Sequence, residues 1–432
     1  MARLELIVFS PIHPDFDFAN ILDYKAISEE VKVDSFPQLY WKNRFPWNAA
    51  NLYLHSRVNE IIRSSISVLT LVSIAKSLLA YMRFLEEYEL AWDKFNYRES
   101  VRPLNMYRGY LIDKRNKGQI ASSLASFRMN SVLNFYRWTQ DSGVIEAPEN
   151  LCADTEISFS HITSNGLIRK LKVRSSRLAV PNRSRRGTIL EDGLQPISKE
   201  DRDALLEVAK ERASIELYLM LLLGFYTGMR IGSICDLKIK TLETAFRHHS
   251  TPELFWIRIG PGAIGAPVKT KNNVNGEVII PRFLLMELLV YVKSPRRLIR
   301  AAKAPSLNKG HVFLNRNGRS YYDEKKLGHP TVDVEMSRLR KKIGEKSIST
   351  HHFKFHQTRA TFATNVAEIA LANCGENIGG AIALVRELLL HKNESTSMRY
   401  IKFVQEHGVL SKWADDFTRD VIQHAISVRE RK

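Results

Sequence analysis

Three stretches of this chain hold the side chains from which chemistry could be built. YTGMRIGSICDL at 226–237 contributes Arg230, HQTRATFAT at 356–364 contributes His356 and Arg359, and RELLLHKNESTSMRYIK at 386–402 contributes His391 and Tyr400. Two arginines, two histidines and a tyrosine suit the breaking of a phosphodiester without a metal. That reaction must stabilise extra negative charge on a five-coordinate phosphorane. Arginine is always charged, and its planar fork can donate two hydrogen bonds to two phosphate oxygens. Arg230 and Arg359 are the candidates; taken singly, the first would read as a helix-capping arginine and the second as a surface ion pair. Tyr400 is the candidate nucleophile. A phenol with a pKa near ~10 attacks poorly at neutral pH, so it needs a base or strongly positive surroundings to shed its proton. His356 can supply the base and the arginines the field. The cationic neighbours Arg399 and Lys402 weaken the plainer reading of Tyr400 as a core tyrosine.

Composition points the same way. A formal net charge of +18 and a pI near 9.7 call for a polyanionic partner. Double-stranded DNA is favoured over a membrane, because no apolar run approaches the length of a bilayer span and the start, MARLELIVFSPIHPDFDF, lacks a signal-peptide layout. A cytoplasmic location is expected, nucleoid-associated if the source is bacterial. The three cysteines, Cys152, Cys235 and Cys374, stand far apart, which indicates neither a disulfide framework nor a zinc site; Cys235 reads as a small core residue. No glycine-rich phosphate loop occurs, so no nucleotide cofactor is expected, and no metal.

These residues need elements to position them. A domain opens at residue 196, where Ser198 with Asp201 reads as a capping box; the apolar helix SIELYLMLLLGFYTG then ends near Gly228, just before Arg230. LFWIRIG and VIIP predict strands within 254–281, with an Asn275-Gly276 turn signal between them. Helices are expected from 282 to 303, around 332–344, and from 356 to the end. Upstream, helical periodicity over 64–150 predicts a small all-helical domain, extended here to residue 160, with helices near 64–89, 100–116 and 122–143, the last opening on serines suited to N-caps. Lys114, Arg115, Lys117, Arg128 and Arg137 would form a phosphate-facing stripe on it, or simply a solvated face. Residues 161–195 lack a sustained period and read as a basic linker, whose Lys172, Arg174, Arg183, Arg185 and Arg186 could follow a DNA backbone. Residues 1–63 are an extension broken by prolines, and their aromatics are expected to pack against the next domain.

TGMRIGSICDL, HQTRATFAT and LLLHKNESTSMRY, in that order and with His391 nine positions before Tyr400, resemble the catalytic domain of the tyrosine recombinases, the phage-integrase family. The resemblance spans roughly 196–402. The helical region is similar, by architecture only, to the core-binding domain of that family. It implies a mainly α fold with a small β-sheet or hairpin (α+β), and a site-specific recombinase or integrase of mobile DNA. That enzyme would cut and rejoin DNA through a 3′-phosphotyrosine, as a tetramer passing through a Holliday junction, with accessory proteins as further partners. His391 matches the histidine that hydrogen-bonds the scissile phosphate. The proton for the leaving 5′-oxygen would come from a hairpin lysine: Lys269, followed by Thr270, with Lys271 in reserve. The helix beyond Tyr400 resembles a segment that docks into a neighbouring protomer. A type IB topoisomerase or telomere resolvase would share the constellation, and a DNA-binding regulator without catalysis would share the fold. Three positions depart from the pattern: Ser233 replaces an acidic residue, Leu390 the glycine before the histidine, and Thr358 the leucine before the second arginine.

Overall fold

The computed structural model describes residues 1–406 except 11, 17–21, 27–31, 64–65, 149, 163–167, 182–189, 191–192, 250, 265, 323–327, 344–351 and 375–376. The expected helix beyond Tyr400 lies outside the described residues from 407 onward. Two units divide the chain, Met1–Ser184 and Arg185–Lys432.

In the first unit, β1 (Arg3–Phe9) pairs antiparallel with β4 (Val33–Tyr40), and β2 (Ile12–Phe16) with β3 (Leu22–Ala26). Five helices follow: α1 (Asn48–Ser56), α2 (Val58–Ile62), α3 (Val68–Glu87), α4 (Pro103–Asn116) and α5 (Ser122–Asp141). Ser67 caps α3 by accepting from the Thr70 amide, and Pro103 occupies the first turn of α4, where its missing N–H costs nothing. Alanine, not serine, stands at the N-cap of α5, since the serines already lie inside the helix. α3 is long and apolar enough to cross a membrane, contrary to the sequence expectation, but its apolar face is buried in the unit's core. Residues 1–63 share that core: Phe36, Leu39, Trp47 and Tyr53 are buried with Leu78, Tyr107 and Phe135, and the Trp47 ring lies 5.2 Å from that of Phe135. The stretch read as a linker starts with structure. β5 (Asp154–Ile162) and β6 (Ile168–Ser176) form an antiparallel hairpin in register from Asp154↔Ser176 to Ile162↔Ile168. The KLKVR run at 170–174 does alternate charged and apolar residues, but over too short a span to emerge from the density of charge.

The second unit is built round α7 (Ile215–Thr227), apolar on nearly every face and buried along its length, as a central helix must be. Around it lie α6 (Lys199–Arg212), β9 (Gly276–Pro281), α10 (Arg282–Val292), α12 (Pro330–Ile343) and α13 (Gln357–Cys374). The Ser198 hydroxyl accepts from the Asp201 amide at 3.0 Å, which is the expected cap on α6. Short helices α8 (Ile231–Cys235) and α9 (Ile239–Glu243) follow α7, and α11 (Pro295–Ala302) follows α10 after a break at Ser294. A three-stranded antiparallel sheet orders β7 (Phe246–Arg247), β8 (Leu254–Ile259) and β9. Asn275-Gly276 is not its turn: Gly276 pairs with Ile259, and residues 260–275 form a long loop closed by Asn275, whose side chain accepts from the Gly262 amide. α14 (Ile378–Leu388) and α15 (394–406) pack with α13 as a second small core containing Ala360, Ala363, Val385, Leu389 and Tyr400. The fold is mainly helical with small antiparallel sheets, the α+β class expected.

Candidate active site

The first arginine motif sits where α7 stops. Gly228 adopts the left-handed conformation, φ +65°, and a Cβ there would stand 2.4 Å from the Phe362 ring. Only glycine satisfies both demands. The chain reverses and delivers Arg230 to the N-cap of α8. Arg359, in the first turn of α13, is 3% exposed. Its fork donates to two backbone carbonyls, Gly228 at 2.5 Å and Leu389 at 2.8 Å. It is therefore not a surface ion pair: it ties the turn after α7 to the turn after α14. Arg230, Arg359 and Lys271 line one small cavity of about 20 Å³, with Ser233, Leu389 and Leu390 on its wall.

The third motif is buried beside it. His391 is 4% exposed and its Nδ1 lies 3.0 Å from the Ser397 hydroxyl. Its ring stacks on that of Tyr400 at 5.8 Å and 12°. Tyr400 has no exposed surface at all and belongs to the core that joins α13, α14 and α15. His356 is half-buried just ahead of α13, and its carbonyl accepts from the Ala360 amide. It precedes Arg359 by three positions, a spacing that sets two side chains on one helix face.

The two hairpin lysines part company. Lys271 lines the cavity of the arginines, whereas the Lys269 ammonium lies 4.9 Å from the centre of the Tyr322 ring, on a neighbouring cleft of about 830 Å³. The Lys269 peptide is held at both ends: its amide donates to Asp236 Oδ2 at 2.7 Å, and its carbonyl accepts from the Ser233 hydroxyl at 2.8 Å. Asp236 in turn meets Lys238 Nζ at 2.5 Å and His311 Nε2 at 3.1 Å. Burial pushes its carboxyl upward, but the contacts with His311 and Lys238 and the hydrogen bond from the Lys269 amide outweigh that and bring it down to about 2.

The three departures acquire physical content. Ser233 reaches the lysine loop directly. Leu390 keeps a left-handed φ of +50°, the conformation that a glycine would supply freely, and its side chain packs over Gly276 of β9. Thr358 lies against Gly224 where α13 crosses α7; a Cβ on Gly224 would fall 2.3 Å from its hydroxyl. Sequence reasoning missed Asp236, Lys238, His311 and Ser397. Ser397, inside the STSMRY run, and Asp236, inside the TGMRIGSICDL run, stood near enough to flagged residues to be found.

The first-unit cations do not form one stripe. Arg137 is engaged with both oxygens of Asp154, at 2.9 and 2.5 Å, so it fixes α5 to β5. Nine positions separate it from Arg128, which at 100° per residue puts the two on opposite faces of α5. Lys117 pairs with Asp113 at 2.8 Å, Lys114 lies over the Tyr110 ring, and Arg115 donates to the Pro181 carbonyl. Lys172 and Arg174 stand on β6, while Arg183, Arg185 and Arg186 lie outside the described residues. Among the described residues no group of three or more His, Cys, Asp or Glu could hold a metal ion. Cys235 is a buried core residue, as its context suggested.

Residues 195–407 match the model of the phage integrase family. The chain is 24% identical over 350 residues to tyrosine recombinase XerC of Lactobacillus delbrueckii subsp. bulgaricus, covering 79% of this chain and 91% of that protein. The same identity and coverage hold for tyrosine recombinase XerC of Lactobacillus leichmannii. Among solved structures, the Tn1549 transposon integrase in complex with transposon right end DNA aligns with a TM-score of 0.47 at 15% identity, over 82% of this chain and 94% of that one. A lambda integrase dimer bound to a COC′ core site aligns at 0.46 and 13%, over 81% and 77%. The half of this chain that carries the arginines, histidines and Tyr400, residues 195–407, belongs to the phage integrase family, that of the tyrosine recombinases.

Proposed function

We propose that the chain is a site-specific DNA recombinase that cuts and rejoins duplex DNA through a covalent 3′-phosphotyrosine. The observation that carries this reading is the Arg359 fork, which draws the turns of the first and third motifs together and shares a cavity with Arg230. In the reaction, Tyr400 Oη attacks the scissile phosphorus and the bond from phosphorus to the 5′-oxygen breaks. His356 takes the phenolic proton, and Lys269 gives one to the leaving oxygen, with Lys271 the alternative. Arg230, Arg359 and His391 stabilise the charge that builds on the non-bridging oxygens. The phosphotyrosine keeps the ester energy, so a 5′-hydroxyl can reverse the step with no nucleotide consumed. Arginines supply the charge for which other nucleases recruit a metal.

Tyr400 has no exposed surface, so attack requires α15 to move and present the phenol. A homo-tetramer on two DNA sites, exchanging strands through a Holliday junction, completes the reading. The test starts by sequencing the DNA that the purified protein retains. A nicked suicide duplex carrying that site is expected to give a denaturation-resistant adduct with wild type and none with Tyr400→Phe. An undiminished adduct from the variant removes the nucleophile assignment. Strand exchange between two sites, rather than plasmid relaxation alone, separates a recombinase from a topoisomerase.

A further inference from the structure

A braced polar cluster beside the arginine cavity is built on Asp236, and it holds the backbone of one residue, Lys269. Ser233 and Asp236 stand three apart at the end of α8, so they share a helix face. From that face they grip the Lys269 peptide, Asp236 at the amide (2.7 Å) and Ser233 at the carbonyl (2.8 Å). Asp236 is itself braced. Lys238 Nζ lies 2.5 Å from its Oδ1 and 2.7 Å from His311 Nε2, which closes a three-membered set. The His311 ring is oriented by its other nitrogen, 3.1 Å from the Asn308 carbonyl. A carbonyl only accepts, so Nδ1 donates there, and Nε2 accepts from the Lys238 ammonium, which also donates to Asp236 and so carries the bracing from the ring to the carboxylate. The backbone beneath is fixed as well, with Val312 N–H donating to Leu237 and Ile239 N–H to Gly310. The buried Arg297 donates to the carbonyls of Lys309 and His311.

We propose that Asp236, braced by Lys238 and His311, is a positioning residue for the general acid: with Ser233 it fixes the Lys269 backbone, so that only the side chain must swing from Tyr322 to the leaving oxygen. This rests on Lys269 as the proton donor. A donor that must arrive within hydrogen-bond reach benefits from an immobile root, because small misplacements cost large factors in rate. The loop needs such anchorage. Residues 260–275 are a long connection between two strands, held by Val268 in the core and by Asn275 at Gly262, and the grip on Lys269 adds the anchor at the lysine itself.

Single-turnover cleavage by the full chain tests the idea on two suicide duplexes, one natural and one with sulfur in place of the bridging 5′-oxygen. A thiolate leaves without needing a proton, so a defect confined to proton donation disappears on the sulfur substrate. Asp236→Ala is expected to slow the natural substrate by roughly 10–100-fold, the range for outer-shell partners of a reacting group. The sulfur substrate should be cleaved within about threefold of wild type, since its leaving group draws nothing from the acid. Asp236→Asn, which keeps an oxygen for the amide and spares the fold, should show a smaller loss with the same rescue. Lys269→Ala runs alongside. If sulfur rescues Lys269→Ala but neither Asp236 variant, the positioning role is wrong while the donor stands. If sulfur fails to rescue Lys269→Ala, the donor assignment falls and takes the positioning role with it. Wild-type rates for both Asp236 variants on the natural substrate also overturn it.

Discussion

Leu390 carries a cost that a glycine would avoid. Its left-handed φ of +50° is disfavoured by about 1 kcal/mol in any residue with a Cβ, and contact with Gly276 is the return. Leu390→Ala keeps the strain and loses the contact, so it is expected to destabilise by about 1–2 kcal/mol. Leu390→Gly loses the same contact but releases the strain, so it should be the more stable of the two by about 1 kcal/mol, the reverse of the usual order. Urea midpoints of the two variants decide it, and alanine above glycine would mean that the backbone is not strained. The sequence disclosed this position as a departure from a glycine and could not disclose that the glycine's conformation survives. Arg230, Arg359, His391 and Tyr400 were legible because motif order and spacing are one-dimensional. The pairing of Asp236 with His311 was not, because 75 positions separate them and His311 belongs to no motif.

Elements show the same division. α7 with its Gly228 stop was readable, as was the Ser198 cap of α6, because caps and apolar runs are local. The true turn of the sheet was not, since Asn275-Gly276 mimics a tight hairpin that Gly276 instead spends on pairing with Ile259. What holds α7 to α11 was equally hidden. Glu216, with no exposed surface, accepts from Arg296 at 2.8 Å, pairs with Arg300 at 2.8 Å and accepts from Tyr291 at 2.9 Å. Burial raises its carboxyl pKa, but the arginines and the tyrosine together lower it below the ordinary value. A carboxylate depressed on folding stabilises above its unfolded pKa of ~4.3, and that contribution fades as pH falls through the lower folded value. Glu216→Gln leaves Arg300 buried without its counter-charge. It is expected to cost about 2–3 kcal/mol at pH 7, with half-exposed Arg296 adding little. The gap between wild type and variant should shrink below pH ~4, where the wild-type carboxylate begins to take up its proton. Equal gaps at pH 7 and pH 3.5 in urea titrations would exclude an ionised Glu216 as the cause.

At the scale of the molecule, the boundaries of packing differ from those of composition. Deleting residues 1–63, whose aromatics the sequence led one to expect against the next domain, strips Phe36, Leu39, Trp47, Tyr53 and Leu54 from the core of the first unit. Residues 1–184 on their own are expected to unfold cooperatively, and residues 64–184 to lose near-UV circular dichroism and cooperativity. A sharp transition from the shorter piece would show that the helices need no such cover. The net charge of +18 was plain from the start, but its allocation was not, because Arg137 is committed to Asp154, a carboxylate that only the folded chain brings near. One last property follows from where Tyr400 lies, shut inside apolar packing with His391 flat against it. Under the proposed chemistry, chance collisions with a chromosome leave it intact, because scission waits on the work of drawing that helix outward. The free energy of extraction sets the threshold between harmless scanning and covalent capture of one site.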